Sequence, residues 1–240
     1  MTSSDGARTL KDKVALVTGA GRGLGRAFAE KLAAMGADVA IHGMRENGPA
    51  EYGEGSTLTA VAEDIAKAHG VRTIRVLGDL TQGADIARVV ETTTRELGPV
   101  EILVHNAGGD IAAKGGKPDP NDAIGIKEED VRAVLDRNLL STILTCQAVA
   151  QEMMKRRQGR IVTIGSVAAF KGRTNGSIYA VAKAGMTQHA LPRRSAALLR
   201  HQCELHRAGR HPYRPLHGHA RGRPKSSGRN RHARPHRHRR

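Results

Sequence analysis

KVALVTGAGRGLGRAFAEKLAAMGADVAIHG, residues 13–43, decides the fold. KVALVTG is a short Val-rich apolar run closed by glycine, the pattern of a strand buried on both faces. From Gly23 to Met35, Leu24, Ala27, Phe28 and Leu32 fall on one side of a helix. ADVAIHG is a second strand. The turn between the first strand and the helix carries glycines at Gly19, Gly23 and Gly25. Glycine permits a tight turn and lets a pyrophosphate approach the backbone at the positive end of the helix. A glycine string alone is weak evidence; one set between a strand and a helix at the start of a βαβ unit predicts dinucleotide binding.

Working outward, the alternation continues. Ser56–His69 reads as a helix with Ser56 as N-cap, RTIRVLGD as a strand, and Gln82–Leu97 as a helix stopped by Gly98-Pro99. EILVHNAGG is a fourth strand. Lys127–Arg157 is a long helical stretch, followed by the strand RIVTIGS and a helix starting near Ser177. This order predicts an α/β fold: a Rossmann-type, doubly wound parallel sheet with helices on both faces. Thr18, Gly19, Asp79, Asn106 and Ser166 then fall at the carboxyl ends of strands, where such sheets bind cofactors. Two connections are long. Glu46–Gly55 is expected to be an acidic surface loop, and Asp110–Gly125 a loop bordering the active site.

Ser166, Tyr179 and Lys183 are the candidate catalytic residues. Tyr179 and Lys183, at i and i+4, share a helix face. An ammonium beside a phenol favours the phenolate, which makes tyrosine a usable proton donor and acceptor. Ser166 ends its strand with a hydroxyl facing the same cleft.

These motifs, taken in order, resemble the short-chain dehydrogenase/reductase family, and its 3-oxoacyl-reductase-like members in particular, over residues 13–190. TGAGRGLG resembles the family's cofactor turn at Gly19, Gly23 and Gly25, with Arg22 and Leu24 inside it. Asp79, followed by Leu80, resembles the residue at the adenine ring. HNAG, with Asn106, Ala107 and Gly108, resembles the family's NNAG with His105 in place of the first Asn. Asn138 matches the catalytic Asn of the long helix. The resemblance implies hydride transfer between a nicotinamide and a small-molecule carbonyl or alcohol. It implies Tyr179 as general acid and Ser166 as holder of the carbonyl oxygen. Lys183 would bind the nicotinamide ribose and act on Tyr179, and Asn138 would hold a relay water. Family members pair as dimers or tetramers through the long helix and the Tyr-Lys helix, an assembly left in doubt here because the second helix is cut short.

Coenzyme choice turns on the end of the second strand. His42, Gly43 and Met44 offer no acid for a ribose hydroxyl, whereas Arg22 and Arg45 are placed for a 2′-phosphate. NADP is the expected coenzyme; Glu46 keeps NAD open.

The chain changes character near Leu191. Residues 191–240 hold 15 of the 39 Lys and Arg, one acid (Glu204) and eight of the 12 His; residues 1–190 hold 24 cations against 22 acids. The formal charge of +16 therefore belongs to the tail and does not make the domain a nucleic-acid binder. Two domains are expected: a catalytic unit at 1–190, lacking the last strands, and a disordered Arg/His/Pro-rich tail at 191–240. Synonymous codons for Arg200–Arg214, read one base later, yield GINVNCIAPGDTRT, which resembles the family's sixth strand and Pro-Gly turn. This points to a frameshift near residues 190–192. Two alternatives stand: a product that binds cofactor without closing on substrate, and a basic tail that holds nucleic acid non-specifically. Cys146 and Cys203 form no framework, no metal site is expected, and the absence of a hydrophobic leader or apolar span predicts a cytoplasmic protein without membrane partners.

Overall fold

Val14–Thr18 (β1), buried along its whole length, is the centre of a parallel sheet. The computed structural model describes residues 9–189 and the backbone of residues 201–202. Helix α1 (Gly23–Ala34) leads to β2 (Asp38–Gly43), α2 (Leu58–His69) to β3 (Thr73–Leu77), and α3 (Gly83–Glu96) to β4 (Ile102–His105). A helical run then comprises α4 (Glu128–Leu135), a π-helical turn (Asp136–Leu140) and α5 (Ser141–Lys155). β5 (Arg160–Thr163), a 3₁₀ turn (Val167–Phe170) and α6 (Ser177–Gln188) follow.

The sheet runs β3-β2-β1-β4-β5-β6, where β6 is the two-residue pair His201–Gln202 on β5. Every pairing is parallel. Chain direction across the sheet reverses between β1 and β4, so their carboxyl ends flank the crevice where this architecture binds ligands. β1 is apolar throughout because both faces are covered. Ala15 and Val17 pack with Ala29, Ala33, Leu58 and Ile65 of α1 and α2. Val14 and Leu16 pack with Val89 of α3 and Cys146, Val149 and Met153 of α5. Cys146 is a core residue whose thiol is pushed up to about 12 by burial.

Several expectations change. Thr57, not Ser56, caps α2; its hydroxyl accepts from Ala60 N at 3.0 Å. The long helix contains a π turn that apolar spacing does not reveal. The 46–55 loop is not a free excursion: it forms a short 3₁₀ turn at 50–52, and Pro49 lies against Gly21 of the glycine turn. β5 ends at Thr163, so Ser166 lies beyond the strand and caps the following 3₁₀ turn. α6 stops at Gln188, ahead of the change of character near Leu191. Where no sixth strand was expected, His201–Gln202 supplies a short one, at residues whose shifted translation resembles the family's sixth strand. The rest of the predicted tail lies outside the described residues. Among the described residues no helix is long and apolar enough to cross a membrane.

Candidate active site

Two buried histidines form the floor of the glycine turn. His42 Nδ1 accepts from Gly19 N at 3.3 Å, and its Nε2 lies 3.0 Å from Gly78 O. Since Nδ1 must accept, the proton sits on Nε2 and is donated to Gly78 O, so the ring is neutral. Burial pushes His42 down to about 4, against a smaller opposing pull from the Gly78 carbonyl, Asp79 and Asp85. The second ring is His105. Thr18 Oγ1 accepts from both Asn106 N and Ala107 N at 3.0 Å, which directs its own proton to His105 Nδ1 at 3.2 Å. Burial, then the Lys183 charge, pushes His105 down to about 3. Asn106 Nδ2 also donates to Gly19 O at 3.2 Å, so the ends of β1 and β4 are tied together.

Gly25 packs directly on this turn. A Cβ there would overlap the Gly19 carbonyl oxygen and come within 2.7 Å of Asn106 Nδ2. Gly25→Ala is therefore expected to destabilise the fold by about 1–3 kcal/mol and weaken dinucleotide binding at least about tenfold. Urea unfolding and coenzyme titration check both. Gly23, the first residue of α1, donates its N–H to Glu54 Oε2 at 2.6 Å. Arg26 of the same helix holds Glu54 O at 2.9 Å. Arg45 Nη2 pairs with Glu51 Oε2 at 3.0 Å, and Glu46 with Arg75 at 3.2 Å. Arg22 is the extended residue preceding α1, and the Leu24 side chain faces solvent. Asp79 closes the turn after β3, its Oδ1 accepting from Thr81 N and Thr81 Oγ1. Leu80 is a core residue.

Asn138 sits in the π turn and is wholly buried. Its Oδ1 accepts from Gly109 N at 2.9 Å while Nδ2 donates to Gly109 O and Val134 O at 2.8 Å. The clamp requires Gly108: its φ is +143°, and a Cβ there would stand 2.6 Å from Asn138 Oδ1. The segment after Gly109 is pinned as well. Asp130 Oδ1 accepts from Ala113 N, and Arg137 Nη1 donates to Ile111 O and Ala112 O, all at 2.8 Å. Asn121 binds Asp110 Oδ2 at 2.7 Å and receives Gly176 N at 2.8 Å. The long loop thus spans from β4 to the start of α6.

α6 brings Tyr179 and Lys183 to this wall. Lys183 is buried, with Nζ donating to Ile164 O at 2.9 Å and lying 5.7 Å from the Tyr179 ring centroid. Ser166 Oγ accepts from Ala168 N at 3.1 Å and keeps its own proton available. α6 packs on the π turn through Gly185, against which Leu139 is placed. The end of β5, the π turn and α6 therefore converge beside the crevice between β1 and β4. Sequence reasoning missed His42 as a structural bridge and Glu54 as a contact of the glycine turn. His42 carried one signal, a polar residue at the inner end of an apolar strand.

Comparison with known proteins agrees with this geometry. The family model described as short chain dehydrogenase matches residues 13–196. Over 185 residues the chain is 37% identical to a cyclohexanol dehydrogenase of Rhodococcus sp. (strain TK6), covering 75% of this chain and 67% of that protein. It is 39% identical over 174 residues to a 3-oxoacyl-acyl-carrier-protein reductase of Escherichia coli (strain K12), covering 72% and 63%. A reductase of the same description from Aquifex aeolicus (strain VF5) is 36% identical over 179 residues, covering 74% and 64%. The chain spans about two thirds of the length of these relatives. With a strand–glycine-turn–helix at the switch point and the Tyr179–Lys183 helix against its rim, the chain belongs to the short chain dehydrogenase family.

Proposed function

We propose that this chain transfers hydride between a nicotinamide dinucleotide and a small carbonyl or secondary alcohol. The observation that carries the proposal is Lys183, beside the Tyr179 ring and bonded to Ile164 O just past β5, at the same carboxyl edge of the parallel sheet as the glycine turn that follows β1. The residues present fit a dinucleotide: a glycine-lined helix start at the carboxyl end of β1, beside the Asn106–Gly108 edge of β4. When bound, the nicotinamide supplies the hydride chemistry. In the reducing direction Tyr179 gives its proton to the carbonyl oxygen, and Ser166 donates a hydrogen bond to the same atom. Lys183 stabilises the negative charge left on the Tyr179 oxygen. The Asn138 side chain holds Gly109, and through it the wall of the site, so its role is positioning.

Arg22 and Arg45 support NADP(H), the coenzyme expected from the sequence. NAD(H) is the second reading, favoured by the pairing of Arg45 with Glu51. Exposed Leu140 and Met154 on the long helical run and Val181 on α6 support assembly of copies through these helices. The test is turnover by the full chain of simple ketones, 3-oxoacyl thioesters and cyclohexanol with each coenzyme, followed by absorbance of the reduced nicotinamide. Turnover of any of them supports the proposal. Coenzyme binding without turnover supports a cofactor-binding product lacking substrate closure, the alternative raised by the change of sequence character near Leu191. Absence of coenzyme binding overturns both.

A further inference from the structure

We propose that the start of α6 holds a hydroxyl group of the substrate, so that this chain works on hydroxy ketones and the corresponding vicinal diols. The inference rests on the hydride-transfer reading above and adds the substrate class. Asp110 Oδ1, Asn121 Oδ1 and Ser177 Oγ are buried and have no hydrogen-bond partner among the described residues. Asn121 is only 9% exposed, and its Nδ2 is committed to Asp110 Oδ2 at 2.7 Å. The Asn121 backbone carbonyl accepts from Gly176 N at 2.8 Å, which seats the pair on the first turn of α6. Gly176 leaves room for it: its φ is +72°, and a Cβ there would stand 3.3 Å from Asp110 Oδ2.

The unpaired atoms select the ligand. Asp110 Oδ1 and Asn121 Oδ1 call for a donor. The first turn of α6 has no side-chain cap, so its leading N–H groups call for an acceptor. A carboxylate or phosphate would meet the Asp110 carboxylate, and an ammonium would meet the positive end of the helix. A hydroxyl donates and accepts at one atom, and Ser177 can answer it either way. Position then fixes which hydroxyl. Ser177 precedes Tyr179 by two residues, about 3 Å along the axis. Helical side chains lean towards the N-terminus, which tips Tyr179 over this turn. Asp110 directly follows Gly109, the residue that Asn138 holds. A hydroxyl bound here therefore sits on the carbon next to the carbonyl that Tyr179 protonates. Residues 171–175, directly ahead of Gly176, are exposed and outside any helix or strand, and they give way to admit the ligand.

The test compares acetoin, a ketone with a hydroxyl on the adjacent carbon, with butanone. Reduction of each by the full-length protein gives a ratio of kcat/KM for wild type, Asp110→Ala and Asp110→Asn. Asn keeps the shape and removes the charge, and each ratio is internal to one preparation, so partial unfolding cancels. The ratio is expected to favour acetoin by at least about tenfold in wild type, to fall below about threefold in Asp110→Ala, and to lie between in Asp110→Asn. Ligand-observed NMR of the same pair with coenzyme present reads the preference without turnover and is expected to rank them the same way. A wild-type protein that prefers neither ketone in either measurement, as when water alone occupies the turn, overturns the proposal. So does a preference that both variants retain in full. Preferential binding of acetoin without reduction of either ketone would overturn the hydride reading and leave the hydroxyl site standing.

Discussion

Replacing Tyr179 with Phe is expected to lower turnover of a reducible carbonyl by roughly 10²–10⁴-fold, the usual worth of a positioned general acid. Coenzyme affinity is expected to stay within about threefold. The reason lies in what the change removes. The ring stays, so packing of α6 is kept, and Lys183 remains buried with its bond to Ile164 O. Only the phenolic O–H is lost, the group proposed to hand a proton to the developing alkoxide. Single-turnover rates and coenzyme titration of the same preparation separate the two effects. A variant reducing its substrate within about tenfold of the wild-type rate would remove Tyr179 from the chemistry.

Acid is expected to unfold this protein unusually early, and the two histidines under the glycine turn are the cause. His42 is ordinarily near 6.5 and is held down to about 4 by burial. His105 is held down to about 3. The folded state therefore resists protons that the unfolded chain accepts. The associated stability is fully present above about pH 6.5 and is lost as pH falls towards 4. For His42 alone the loss is about 3 kcal/mol, a large share of the roughly 5–15 kcal/mol that holds a domain folded. Local geometry makes it worse. A proton on His42 Nδ1 would face the Gly19 N–H that it now accepts, so the turn would open with the fold. Urea unfolding between pH 4 and 8 should show wild-type stability rising with pH, with shallower slopes for His42→Gln and His105→Asn. Equal slopes in all three proteins would refute the assignment.

The sheet was legible because its inner strands β1, β2 and β4 are largely buried and read as apolar runs, two of them closed by a polar residue at the carboxyl end. Thr18 is such a residue: it ends β1, and its hydroxyl ties in Asn106 and Ala107. Tyr179 and Lys183 were legible because helical spacing alone places them on one face. What stayed hidden depends on contacts between segments far apart in the chain. Nothing local distinguishes Glu54 from the other acids of its loop; its meaning comes from Gly23, thirty-one residues earlier. The π turn was equally hidden, since its apolar spacing differs little from that of an α-helix. It is marked by Asn138 reaching out to Gly109.

That π turn makes the helical run sensitive to length in a particular way. Asp136–Leu140 accommodates one residue more than regular winding would, between two stretches with different partners. Removing a single residue there would let the hydrogen bonds close into ordinary α-helix, with α4 and α5 keeping close to their present faces. What would be lost is the widened backbone that carries Asn138 to Gly109 and stands beside Arg137, which holds Ile111 and Ala112. In this stretch a deletion would spare the two flanking helices and fall on the wall beside Tyr179.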